Sequence, residues 1–466
     1  MMKFKTIKDF ANYAIGDLFV KGFLFISLPL LSRVLDPVQY GKLSIINTAI
    51  MILYVFISLN LQNAVTNRYM ITPSNFGSYL KSIIFFLVPF QMALLAFSPL
   101  IAKPVSELLG IDVKDFIWVM VICILLSYIY IYTCYLQAAR ESGKYVRINI
   151  ISKLSEIALI FIFAMSLAHE QYLSKIYSQI IISIILMVYV FFNLKALARG
   201  SFDIRLLKEA VIFSVPLIVH VLSNSLLSQA DRLIINRELG SYEAGIYSFA
   251  YNIGTGILVV IMAWNSSWQP RLYRLIETED IQKIKKSTFA SSIIIFAICA
   301  LLILFSKEII YVVADRNYYA SIDILPLVLI GNALIHIYLS YVNFIFYKKR
   351  SVIISCSTLI AVLINILLNY ILIPHFGIVG SAWATIVSYF ILASIHYLSS
   401  TFITRNNVIP FYYLVLFCIG LVGVNYITLF MNLHFDLYYN LLVKIVIVII
   451  IFAGLMKSGL HKMLSE

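Results

Sequence analysis

The chain has 466 residues, 62% of them apolar and 12% charged, with a mean hydropathy of +0.94. Soluble domains are roughly a quarter charged, so a soluble globular protein is excluded. The formal charge of +13 sits in short connections between apolar runs, which speaks for membrane topology and against a nucleic-acid partner.

Apolar stretches of spanning length begin near Asn12, Lys42, Ser78, Asp115, Val146, Leu173 and Ala210, then near Gly245, Ile284, Ile324, Ser351, Val379, Phe411 and Tyr438. A helix needs about 20 apolar residues to cross the hydrocarbon layer, so these predict an all-α membrane protein of about 14 transmembrane helices. The connections leave no room for a folded extramembrane domain. Span 1 carries Asp17 and Lys21, has no small-residue cleavage site and is followed at once by span 2, so it is expected to be a structural helix and not a signal peptide. Cys123, Cys134, Cys299, Cys356 and Cys418 lie scattered in apolar segments, which points to small packing residues and to neither disulfides nor a metal site.

Lys3, Lys5 and Lys8 begin the chain, and alternate connections share their basic character: Arg140, Lys144 and Arg147; Lys195, Arg199, Arg205 and Lys208; Lys283, Lys285 and Lys286; Lys348, Lys349 and Arg350. Positively charged loops resist translocation, so both ends of the chain are expected in the cytoplasm. In the outer turns, Arg33-Val-Leu35-Asp-Pro-Val-Gln-Tyr-Gly41 is echoed by Arg237-Glu-Leu239-Gly-Ser-Tyr-Glu-Ala-Gly245 at an offset of 204 residues. The final glycine suits either a left-handed backbone or close packing. Spans 1 to 6 and 7 to 12 then form two parallel six-helix bundles in pseudo-twofold arrangement, a known transporter plan. The expected divisions are 1–208 with a cytoplasmic linker, 209–405, and 406–466 for two additional helices.

Charges inside the membrane cost about 2.5 to 3.5 kcal/mol each on insertion scales, so they face a cavity or a partner. Asp17 and Lys21 are spaced i, i+4, and Lys153 and Glu156 i, i+3, so each pair shares one helix face. Mutual neutralisation and contact with a substrate are both open for each pair. Lys175 and Lys444 lie near span ends, where snorkelling to the interface is expected. Amides and hydroxyls gather at Asn60, Gln62, Asn63 and Thr66 on span 2 and at Ser223, Asn224, Ser225 and Ser228 on span 7. Asn252, Asn265 and Gln269 add to them on span 8. Each serves interhelical bonding or a wet cavity. His220, His336 and His396 are solitary in apolar runs and serve either packing or titration in a proton-coupled cycle. Pro29 and Pro216 occupy paired spans 1 and 7 and can weaken the backbone ladder there.

The run Gln229-Ala-Asp231-Arg232-Leu-Ile-Ile-Asn236 leading to Gly245-Ile-Tyr247, then Trp264-Asn265-Ser-Ser-Trp268-Gln-Pro270, resembles the polysaccharide transporter (Wzx) family. So does Asn365-Ile-Leu-Leu-Asn369-Tyr-Ile-Leu-Ile-Pro374-His-Phe-Gly377-Ile-Val-Gly380-Ser-Ala-Trp383-Ala-Thr385. That family belongs to the multidrug/oligosaccharidyl-lipid/polysaccharide (MOP) exporter superfamily. The resemblance implies a flippase for undecaprenyl-diphosphate-linked glycans, of O-antigen or capsule type, in the bacterial inner membrane. It also implies that helix 1 lines the cavity, which makes Lys21 the leading candidate for the phosphates, with Asp17 holding its ammonium. Lys153, Glu156, Asn63 and Asn224 are the further candidates, and Arg33 and Arg237 would receive the head group outside. H+ or Na+ as coupling ion, membrane lipids and a polysaccharide polymerase complex are the accompanying partners. A cation-coupled multidrug exporter would favour carboxylates over the balanced charges seen here, while a lipid II flippase is not separated by charge. A membrane polymerase or glycosyltransferase is disfavoured, because the outer connections near Lys103 to Lys114 and Lys307 to Asp323 carry no catalytic cluster. No phosphate-binding loop or nucleotide motif is present, so neither enzymatic activity nor a cofactor is expected.

Overall fold

The computed structural model describes residues 27–457 together with Gly22 and Phe25. The expected pair Asp17 and Lys21 lies outside the described residues. Within them the chain is helical throughout. α1 covers 27–34, followed by α2 (Pro37–Ile57), α3 (Leu61–Ile71), α4 (Phe76–Leu109), α5 (Val113–Ala138), α6 (Ser142–Ser166), α7 (Leu173–Leu197) and α8 (Ile204–Leu239). Then come α9 (Ser241–Gly254), α10 (Gly256–Glu277), α11 (Ile281–Leu304), α12 (Ser306–Val313), a 3-10 helix (Arg316–Ile322), α13 (Leu325–Tyr347), α14 (Ser351–Thr404), α15 (Tyr412–His434) and α16 (Leu437–Lys457).

Eleven helical segments of the described residues are long and apolar enough to cross a membrane. The longest, α14, is two spans joined at Gly377, whose φ of 59° and ψ of −144° break the helical path three residues after Pro374. Counting it twice, and adding the shorter apolar α16, gives the described residues the expected all-α multi-pass arrangement. Four helix starts carry a side-chain cap. The side chains of Asp36, Asp203, Asp280 and Asp315 accept the backbone N–H of Gln39, Arg205, Lys283 and Asn317 at 2.8 to 3.1 Å. At Asp203, the backbone and guanidinium bonds from Arg205 hold the carboxyl below its ordinary range.

The chain divides into two compact units, 1–245 and 246–466. In the first, α5 is the central helix, packed by α2, α3, α4, α6 and α7, and α8 lies against α2, α3 and α4. The echoed turns meet inside this unit. A Cβ on Gly41 would fall 1.9 Å from the Ser241 carbonyl oxygen, and one on Gly245 would fall 1.9 Å from that of Pro37. Pro37 and Ser241, like Gly41 and Gly245, are 204 residues apart, so the contact is reciprocal. Neither glycine has a positive φ, so of the two expected reasons close packing is the one realised.

In the second unit, α13 is almost wholly buried, with α10, α11, α14 and α15 around it. Here Lys444 departs from expectation. Its side chain is fully buried on α16 and donates to both carboxylate oxygens of Glu308 at 2.7 and 2.9 Å, with Asn432 Oδ1 at 3.4 Å. Glu308 stands on short α12 close enough to capture the ammonium, so the lysine does not snorkel. Removing one partner of a buried pair leaves an uncompensated charge. Lys444→Met should therefore lower the thermal midpoint of the purified protein, and Lys444→Met with Glu308→Gln should recover much of the loss. Equal midpoints for wild type and the single variant would show that the pair contributes nothing.

Candidate functional site

A cavity of about 330 Å³ lies within the first unit between α5, α6 and α7. Its α6 wall runs from Tyr145 to Glu156, about 17 Å at 1.5 Å per residue, and exposes Asn149, Ser152, Lys153 and Glu156 at helical spacing. α5 contributes Tyr130 and Thr133, and α7 contributes Gln179 and Ser183. Leu126, Ile129, Ile182 and Leu186 supply the apolar part of the wall.

A buried ion triad closes the deep end of the α6 wall. Glu156, only 8% exposed, accepts from Lys153 Nζ at 3.0 Å and from Lys175 Nζ. Lys175, expected to snorkel, is instead 6% exposed: the short connection 167–172 folds α7 back along α6, and the ammonium follows the carboxylate. Lys153 remains about a third exposed. The triad holds two lysines and one carboxylate, so after neutralisation one positive charge is left over. Lys175 is the deeper partner and Lys153 the one within reach of a guest. Gln179 Oε1 is buried without a hydrogen-bond partner and lines the same cavity. An anion with attached hydroxyls would find there a cation, amide and hydroxyl donors, and an unoccupied acceptor.

At the N-terminal end of the α6 wall stand Arg140, Lys144 and Arg147. Lys144 is paired with Glu141 at 2.8 Å, and the Arg147 guanidinium donates to the Gly143 carbonyl at 3.2 Å. These three precede or flank Tyr145 and do not line the cavity itself, whose charged lining is Lys153 and Glu156.

The remaining expected residues lie elsewhere. Asn63 donates to Asn60 Oδ1 at 2.8 Å, as Gln62 does at 2.9 Å. Asn60 is buried with φ of 56°, and with Leu59 at 48° it breaks span 2 into α2 and α3. These amides thus serve a helix break that no hydropathy pattern announces. Asn224 on α8 is exposed, 3.2 Å from the His220 ring. Arg33 is exposed at the end of α1, and Arg237 is exposed with Glu238 4.0 Å away. Asn265 accepts from Asn343 at 2.8 Å and Gln269 donates to the Tyr273 hydroxyl at 3.0 Å, so these two amides bond within the second unit. Pro216 lies within α8. Sequence reasoning missed Lys175 and Gln179. The available signal was the short connection, which obliges α7 to run back beside Glu156.

A family model described as "Polysaccharide biosynthesis protein" matches residues 6–276, more than half of the chain. "Lsg locus putative protein 1" of Haemophilus influenzae is 23% identical over 404 residues, covering 84% of this chain and 99% of that protein. Among solved structures, the lipid II flippase MurJ in an inward closed conformation aligns with a TM-score of 0.69 and 14% identity, over 97% of this chain and 99% of that one. An inward-facing multidrug resistance MATE family transporter of the MOP superfamily aligns with a TM-score of 0.67 and 12% identity, over 84% and 98%. At such identities the structural likeness speaks for the fold. The chain belongs to the polysaccharide biosynthesis protein family and has the fold of the MOP superfamily transporters.

Proposed function

We propose that this protein is a flippase carrying undecaprenyl-diphosphate-linked oligosaccharide repeat units from the cytoplasmic to the outer leaflet of the bacterial inner membrane. The observation that carries the reading is the surplus lysine of the Lys153–Glu156–Lys175 triad beside a polar cavity, in a chain of this family. A diphosphate needs a cation in a low-dielectric wall, where a charge-assisted hydrogen bond is worth about 1.5–3 kcal/mol. Sugar hydroxyls need many modest donors and acceptors, which Asn149, Ser152, Thr133, Gln179 and Ser183 offer. The volume is at the lower end of ligand pockets, about 300–1,000 Å³, and suits the diphosphate with its first sugar.

With both chain ends cytoplasmic, the Arg140–Arg147 end of the α6 wall faces the leaflet where lipid-linked units are made. Lys21 on the first span is assigned to the same phosphates, with Asp17 beside it, and Arg33 and Arg237 to the outward-facing side. Two parallel six-helix halves rocking about the central axis would supply alternating access. A multidrug exporter for organic cations fits less well, since a surplus lysine repels its substrate. A lipid II flippase uses the same phosphate chemistry and differs in the sugar.

The test is the leaflet distribution of lipid-linked repeat units in cells lacking the protein, complemented with wild type, Lys153→Ala or Lys153→Arg at equal protein level. Cytoplasmic-side accumulation relieved by wild type is expected, with export by Lys153→Ala roughly 10-fold or more below it, the loss of one charge-assisted bond. Lys153→Arg should retain part of the export. Unchanged distribution of the repeat units would sink the reading, and accumulation of lipid II in their place would transfer it to peptidoglycan.

A further inference from the structure

The most enclosed helix of the second unit is also polar along one face. α13 carries Asn332, His336, Ser340 and Asn343 at spacings of four, four and three, which align them on one side of the helix. All four are at most 1% exposed. His336 Nε2 lies 3.0 Å from Ser292 Oγ of α11, and its ring packs against Trp264 of α10, centroids 4.2 Å apart, with Phe417 of α15 at 6.3 Å. His336 Nδ1, both amide atoms of Asn332 and Oδ1 of Asn343 are buried and have no hydrogen-bond partner. Each such atom costs about 1–3 kcal/mol, and an apolar side chain in its place would carry no such cost. A helix that retains four of them on one face is shaped for something that bonds there in another state.

The chemistry narrows what that is. Among the described residues no group of three His, Cys, Asp or Glu side chains is placed to hold a metal ion. No charged side chain of the described residues bonds or stacks against the His336 ring. Charges on the packed helices stand near their ends, at Arg271, Arg274 and Glu277 on α10 and Lys283, Lys285 and Lys286 on α11. Of the other titratable groups buried around α13, the thiol and the phenol are hydrogen-bonded, while His396 has both ring nitrogens unbonded and is the control in the titration. The Cys299 thiol donates to the Leu329 carbonyl at 3.5 Å, the Tyr341 hydroxyl to that of Pro410 at 3.3 Å, and the His396 ring stacks on Tyr338 at 5.7 Å. A protonated imidazole donates from both nitrogens: Ser292 Oγ stands at Nε2, Nδ1 is unbonded in this state, and Asn332, one helical turn earlier on the same face, has an unbonded Oδ1.

We propose that His336 is a hydrogen-ion site of the second unit, neutral in the packed state seen here and protonated when the α10–α11–α13 seam admits water. A cation buried without a counter-charge costs several kcal/mol, so the proton binds the wet state in preference and shifts the unit toward it. The seam from Asn332 to Asn343 is about 17 Å long at 1.5 Å per residue, about half the ~30 Å thickness of a hydrocarbon layer. Nothing in this depends on which lipid-linked molecule is carried.

Trp264 makes the site readable without any substrate, because a histidinium in ring contact quenches indole emission more than neutral imidazole does. The full-length wild type in lipid nanodiscs is titrated from about pH 8 to about pH 5 while tryptophan emission is followed. The expected result is one reversible quenching step on the acid side, lost in His336→Gln, lost in Trp264→Phe and retained in His396→Gln. Amide exchange of α13 should accelerate across the same step in wild type. A flat wild-type titration overturns the proposal, as does a step that survives in His336→Gln. Should that variant fail to fold, a step surviving in Trp264→Phe overturns it equally. Quenching without faster exchange overturns the opening of the seam. Since no lipid-linked substrate is present, these failures leave the flippase reading standing.

Discussion

Gly41→Ala is expected to cripple folding, and Gly245→Ala to do the same. At position 41 the new methyl carbon would lie 1.9 Å from the Ser241 oxygen and 3.0 Å from the Gly245 nitrogen; at 245 it would lie 1.9 Å from the Pro37 oxygen and 3.1 Å from the Gly41 nitrogen. Close C–H···O contacts stop at about 3.3 Å, so the two turns would have to part by more than an ångström. All the opposing atoms are backbone, and no rotamer change relieves them. Overpacking costs typically about 1–3 kcal/mol and occasionally more, and a backbone clash on both sides of one contact belongs at the upper end. The measurement is yield and thermal midpoint after extraction. Gly143→Ala is the control, because a Cβ there meets nothing within 4 Å. Both damaging changes act on the same gap, so the double variant should lose less than the sum of the singles. A Gly41→Ala protein as stable as wild type would show that the turns part freely.

That pair of glycines shows how far the sequence carries. The echo of Arg33, Leu35 and Gly41 in Arg237, Leu239 and Gly245 exposed an internal relation, but periodicity alone could not say whether the glycines served a backbone angle or a contact. Spans are legible because hydropathy integrates over some twenty residues and is insensitive to detail. The break at Leu59 and Asn60 is not, since left-handed residues inside a polar stretch leave no hydropathy signature. The same contrast holds at the site. Lys153 and Glu156 share a helix face, so their pairing follows from spacing. Lys175 reaches Glu156 from the next helix, and its position near a span end suggested the interface until the fold of the connection was known. Lys444 repeats the lesson with Glu308, 136 residues away in the chain. Buried lysines find carboxylates that only tertiary structure brings near.

Within the triad, stability and transport should separate by residue. Glu156→Gln leaves two ammonium groups without their anion, one of them in the deeply buried Lys175, and breaking a buried pair costs about 3–5 kcal/mol. Lys175→Met leaves Glu156 with Lys153 still 3.0 Å away, so its cost should be smaller. Lys153→Ala leaves the buried Glu156–Lys175 pair intact and removes a partner that is a third exposed, so the thermal midpoint should move least of the three. Glu156→Gln combined with Lys175→Met replaces the buried pair by a neutral amide and an apolar chain and should regain stability over Glu156→Gln alone. Transport should follow a different order: Lys153→Ala, nearly wild type in stability, loses the surplus charge and with it export. Thermal unfolding in nanodiscs and export at matched protein level give the two rankings. If Lys153→Ala loses stability and export in proportion, the surplus lysine is a packing element like its neighbour and the anion-binding role assigned to it fails. If the rankings diverge, the cavity end of the triad is separable from its structural end, because Lys175 alone suffices to hold Glu156 in place.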